Sequence, residues 1–293
     1  MKIKTIIVYI GYGAVFLISL YLFVILSMPD EQIATYINER LIKQNGINLS
    51  YKSAHVSYKM SLVFSEVEIE IPEVNQKLSF ERVEGGISLV GYLFGKRPFI
   101  IGADGFGGSI LVEVGSKKDM IFLSLEVEQI EMLKLDILRE KTGLNIKGIM
   151  NLTAEIVYDG KESKNNNGRV SLEFKDSEIK SGKVMGFEIP QINTGDIRGE
   201  IEIKEGKFKV TNLKSKGKDI ELRLSGDGSF QSPPTRSSLN LSLKIKPAQA
   251  FIDREEKLKT ILFGIGSSLD KEGFYNFSIK GTLSNPSFGI EKK

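Results

Sequence analysis

Apolar residues recur along this chain with three different spacings, and each spacing predicts a different element. Between Thr5 and Pro29 they are nearly unbroken. The run IIVYIGYGAVFLISLYLFVILSM, about 23 residues without a charged side chain, covers a hydrocarbon core about 30 Å thick at roughly 1.5 Å per residue. Lys2 and Lys4 precede the run, and Asp30 and Glu31 follow it. Positive charge stays on the cytoplasmic side, so a cytoplasmic N-terminus and ~260 residues beyond the membrane are expected. A cleaved signal peptide has a shorter apolar core and small residues at its cleavage site. Phe23–Met28 offers no such site, and Tyr9, Tyr12 and Tyr21 suit the interfaces of a retained helix.

The second spacing is helical. Ile33, Ile37 and Leu41 stand four apart with Ala34 beside them, predicting a short amphipathic helix that starts at Pro29–Glu31 and stops at Gly46. Its apolar stripe is expected to dock on the sheet that follows, with binding at a membrane surface as the alternative.

From Ile47 the period changes to two. LVFSEVEIEI (Leu62–Ile71) places Val63, Ser65, Val67, Ile69 and Ile71 on one face and Glu66, Glu68 and Glu70 on the other. The alternation returns in Phe122–Glu128, Asn151–Tyr158, Arg169–Phe174, Gly199–Val210, Ile220–Phe230, Ser238–Ile245 and Phe274–Gly281. Strands with one apolar and one polar face belong to antiparallel sheets that meet water on one side. Glu205-Gly206, Asp159-Gly160, Asp227-Gly228, Gly107-Gly108 and Asn165–Gly168 read as the connecting turns. Two further helices are expected, Ile130–Gly143 and Asp253–Leu269, each leading into a strand that begins at a glycine. That recurrence divides the chain into 1–29, a cytoplasmic stub and anchor, and two β-rich halves, 30–160 and 161–293.

Composition narrows the function more than it narrows the fold. The 293 residues are 41% hydrophobic and 26% charged, enough to bury a core. Net charge is only +3 with both signs interspersed, so no basic face points to nucleic acid. Cys and Trp are absent and there is one His, which removes the usual zinc ligands and thiol nucleophiles. His55 falls within an alternating stretch and is read as a strand position. ADGFGGSI (Ala103–Ile110) lacks the third spaced glycine and the following helix of a phosphate loop, so it reads as a hairpin. Glu66, Glu68 and Glu70, and Glu126, Glu128 and Glu131, read as solvated strand faces with lysines nearby. No catalytic, cofactor-binding or metal-ligating residue is nominated, and no enzyme is expected.

Several stretches together resemble a known family. They are the single anchor, the helix ending in NGINLSYKSAHVS, the stretch GYLFGKRPFIIGADGFGGSILVEV and the tail GFYNFSIKGTLSNPSF. The chain resembles the general secretion pathway protein N (GspN) family of the type II secretion system. Its tail and its helix-then-strand opening are also similar to AsmA-like proteins, anchored periplasmic chains whose strands curl into an open groove. The resemblance implies a non-catalytic, single-pass inner-membrane protein with its bulk in the periplasm, assisting export by binding secretion-system proteins or envelope components. The AsmA-like alternative implies a lipid-binding or transfer protein that holds acyl chains in an apolar β-groove. The fold class expected is therefore mainly β, with one N-terminal transmembrane helix, a large curved antiparallel sheet and a few short helices.

Overall fold

The computed structural model describes residues 30–37, 39, 48–57, 61–71, 76–88, 98–184, 187–231 and 234–291, with Phe16 and Ser19 as isolated helical positions. The expected anchor lies otherwise outside the described residues. Among the described residues no helix is long and apolar enough to cross a membrane.

The protein is mainly β, a large antiparallel sheet with a few short helices. It divides into two compact units, Met1–Leu89 with Phe99–Asp104, and Val90–Pro98 with Gly105–Lys293. Residue 160 lies inside the second unit.

The first unit holds helix α1 (Asp30–Ile37) and strands β1 (Asn48–Ser50), β2 (Ser53–Val56), β3 (Ser61–Ile71), β4 (Gln76–Ile87) and β5 (Phe99–Gly105, whose last residue belongs to the second unit). Their order is β1-β3-β4-β5, with β2 also on β3. Ala34 of α1 is fully buried in one cluster with Leu62, Phe64 and Val67, packed by Val83, Phe80 and Ile69. This docks the helix on the sheet. Of the rest of the expected helix, Glu39 is described in a helical turn and Leu41–Gly46 lie outside the described residues.

The cluster corrects the expected face of β3. Glu66 has a φ of 48°, in the left-handed region. That single residue re-phases the strand, so Leu62 and Phe64, rather than Val63 and Ser65, share a core with Val67 and Ile69.

The second unit holds β6 (Gly108–Lys117), β7 (Met120–Glu131), α2 (Asp136–Thr142), β8 (Leu144–Asp159), β9 (Asn167–Val184), β10 (Phe187–Ile189), β11 (Ile192–Lys204), β12 (Lys207–Lys216), β13 (Ile220–Ser229), β14 (Ser238–Pro247), α3 (Gln249–Arg254), α4 (Glu256–Gly264), β15 (Tyr275–Thr282) and β16 (Asn285–Ile290). From β7 onward each strand pairs with its predecessor, except that β11 pairs with β9, on which β10 also lies.

Glu205-Gly206 stands as read, and the turn expected at Gly107-Gly108 falls one residue earlier, at Phe106-Gly107. Phe106 and Gly107 have φ of 55° and 81°, and Glu205 and Gly206 have 53° and 72°, the doubly positive geometry of a two-residue hairpin turn. Asp227-Gly228 instead lies within β13, opposite Asn240 and Leu239. A Cβ at Gly228 would meet the Phe208 ring at 2.4 Å, so the glycine admits a leaning aromatic rather than a turn. Asp159-Gly160 and Asn165–Gly168 are the two ends of one longer connection. The Asp159 carboxylate accepts the Lys161 and Glu162 amides at 2.8 and 3.0 Å and the Asn165 side-chain amide at 2.8 Å.

Both expected helices shift. Ile130 and Glu131 complete β7, and Met132–Lys134 form a 3-10 turn before α2, which stops at Gly143 with φ 72°. The second begins at Gln249, is interrupted at Glu255, and runs on as α4 and the 3-10 turn Gly266–Ser268.

Candidate functional site

The pairing registers of the second unit place its apolar residues in rows running straight across the strands. One row reads Val112, Leu125, Ala154, Val170, Ile201, Val210, Gly226, Leu241, Ile279 and Phe288, one residue from each of ten strands. A parallel row reads Val114, Leu123, Ile156, Gly168, Ile203, Phe208, Gly228, Leu239, Gly281 and Pro286. On the other side of the first row runs Ile110, Val127, Leu152, Leu172, Gly199, Leu213, Leu224, Leu243, Phe277 and Ile290. In these three rows every residue is apolar or glycine.

A fourth row crosses eight strands: Ile130, Met150, Phe174, Ile197, Ser215, Leu222, Ile245 and Tyr275. Ser215 is its single aliphatic hydroxyl, buried and without a hydrogen-bond partner among the described residues.

The reverse face has the opposite chemistry. The row next to these reads Glu113, Ser124, Glu155, Arg169, Glu202, Lys209, Asp227, Asn240, Lys280 and Ser287. Ion pairs such as Arg198–Glu173 at 2.8 Å and Arg223–Glu221 at 2.8 Å decorate the same side. These pairs are solvated and each is worth little; they keep this face wet.

The apolar rows stay in phase over such long strands because bulges reset the alternation. Gln129 (φ 57°), Asp176 (φ 49°) and Asn212 (φ 54°) sit at register irregularities. Each moves the strand on by one residue, so Val127 and Ile130, or Val210 and Leu213, face the same way. Neighbouring strands catch two of the displaced amides: Gln129 N–H donates to Asn151 Oδ1 at 2.9 Å, and Asp176 N–H to Asp196 Oδ1 at 3.0 Å.

Most side chains in the four rows are half-buried. Val127, Ile130, Ala154, Ile203 and Val210 are buried, whereas Phe288 and Ile290 are exposed. This differs from the first unit, where Val67 is 1% exposed in a closed cluster. β3 therefore belongs to a closed core, and β13 to a half-open face.

The two ends of the strands also differ. The two-residue turns at Lys118-Asp119, Glu205-Gly206 and Leu283-Ser284 lie at one end, and α2, α3 and α4 at the other, where the Phe106-Gly107 turn also lies beside Glu131. At the helical end a cavity of about 760 Å³ is lined by Ile189, Pro190, Ile192, Phe251, Leu258 and Arg254, with Glu188, Asp253, Glu255 and Glu256 around them. Arg254 joins helix to sheet: it pairs with the buried Asp219 at 3.3 Å, whose Oδ2 accepts the Asn193 amide at 2.7 Å.

Among the described residues, the ionisable groups considered in the sequence lie apart from one another. His55 is an exposed residue of β2 opposite Val63. Glu66 pairs with Lys52, and Glu131 with Lys134. Among the described residues no three His, Asp or Glu side chains are grouped to hold a metal ion.

The most perturbed carboxylate is structural. Asp270 is held at about 2, chiefly by the Phe274 amide, then by Asn276, the Glu272 amide and Lys244. It caps the turn that feeds β15, with the Phe274 and Glu272 amides each at 2.9 Å.

No protein-family model, curated protein or solved structure matches this chain.

Proposed function

We propose that this chain is a non-catalytic binding protein of the bacterial envelope, anchored in the inner membrane by residues 5–29 and serving type II protein secretion. Its working surface is the apolar face of the second unit. The observation that carries this reading is the set of three uncharged rows crossing ten neighbouring strands, left largely half-buried and backed by a charged face. A continuous apolar area of this kind marks a site for a protein or membrane component. The resemblance to the GspN family supplies the pathway, and the uncharged N-terminal run supplies the location.

The test is secretion in a strain lacking the chain. Wild type should restore release of a secreted enzyme. Leu222→Asp and Leu241→Asp should leave that enzyme in the periplasm while accumulating as folded protein. Full secretion by either folded variant would overturn the reading.

The rows also favour a second reading, the AsmA-like one, in which acyl chains lie along the apolar face while head groups stay wet. Lipid extracted from the purified full-length chain, and missing from Leu241→Asp, would move the assignment from protein partners to lipid.

A further inference from the structure

Strand β16 is the last strand in the order, and none of the described strands pairs with its outer edge. All six of its residues are exposed, Phe288 at 71% and Ile290 at 47%. Its backbone phase follows from one bond: the Glu291 N–H donates to the Asn276 carbonyl at 3.0 Å. In an antiparallel pair the bonded positions alternate. Gly289, Ser287 and Asn285 therefore exchange bonds with β15, and the main-chain groups of Pro286, Phe288 and Ile290 face outward. Pro286, which has no N–H, sits where no bond to β15 is lost.

The outward edge is its own complement. Gly281–Ile290 contains no charged residue, so nothing repels an identical strand. Phe288 and Ile290 each offer one N–H and one carbonyl. We propose that β16 pairs antiparallel with β16 of a second copy of this chain, about a two-fold axis at Gly289. In that register Phe288 and Ile290 of one copy exchange four hydrogen bonds with Ile290 and Phe288 of the other. Their side chains form two aromatic–β-branched cross-strand pairs on the apolar side.

Glu291 then faces Ser287 of the partner copy, so no like charges meet. Two of the apolar rows end at Phe288 and Ile290. Pairing joins each to a row of the second copy, so the apolar face continues across the two-fold axis. This inference stands independently of the secretion role.

An edge of six residues gives a small contact and a reversible dimer, so the experiment captures it covalently. The chain has no cysteine, which makes any introduced thiol unique. Gly289→Cys in the full-length, membrane-embedded chain places two thiols at the two-fold axis, where facing non-hydrogen-bonded residues stand about 4.5 Å apart, within disulfide range. An added Cβ there meets only the Ser278 Oγ at 3.0 Å.

Mild oxidation should give a reducible species of twice the chain mass. Adding Phe288→Pro, which removes an outward N–H without touching β15, should lower its yield to that of Asn240→Cys, an exposed site on the charged face. A Gly289→Cys yield no higher than Asn240→Cys would overturn the proposal. So would a yield unchanged by Phe288→Pro, or linkage to a chain of different mass.

Discussion

Val67 and Leu222 are both apolar residues in long alternating strands, yet they answer a charge differently. Val67 is 1% exposed among Ala34, Leu62 and Phe64, while Leu222 is half-buried between Ser215 and Ile245. An aspartate at 67 has no partner and no path to water, so Val67→Asp should destabilise the first unit by about 3–5 kcal/mol. Leu222→Asp can turn its carboxylate to solvent and should cost about 1–2 kcal/mol. Thermal unfolding followed by circular dichroism checks both; equal losses would place the two residues in equivalent cores. Only burial separates them. Both occupy the apolar phase of a period-two pattern, which cannot tell a covered sheet face from an open one.

At the scale of elements, the connection into β15 depends on Asp270. Its carboxylate is held at about 2, below the ordinary 3.8, by amides that exist only in the folded turn. A depressed folded value contributes stability above about 3.8, and that contribution disappears as pH falls toward about 2. Asp270→Asn should therefore be less stable than wild type at neutral pH, with the difference closing across that window. Acid titration of the unfolding midpoint reads it, and a gap that persists below pH 2 would contradict the role.

The strands that alternate strictly, such as β13, β14 and β15, were readable from pattern alone. What the pattern hid has identifiable causes. Glu66, Gln129, Asp176 and Asn212 are polar residues in left-handed geometry within strands, a position usually left to glycine or asparagine. Their mark in the sequence is an apolar spacing of three, Phe64 to Val67, Val127 to Ile130, Val210 to Leu213, which a search for period two discards. Gly228 carried a turn signal but serves side-chain packing.

At the scale of the molecule, the second unit confines charge to one face and leaves the other with uncharged rows across ten strands. The face was not visible in composition, because it exists only through cross-strand register. The claim that this face is open is tested most directly by thiol labelling of single-cysteine variants of the full-length chain reconstituted in vesicles. Leu222→Cys, Leu241→Cys and Phe277→Cys sample the rows, with Asn240→Cys as the exposed standard and Val67→Cys as the buried one. The account predicts that a water-soluble maleimide modifies the three row positions at rates nearer the exposed standard. Rates as slow as that of Val67→Cys would show a closed core and contradict it.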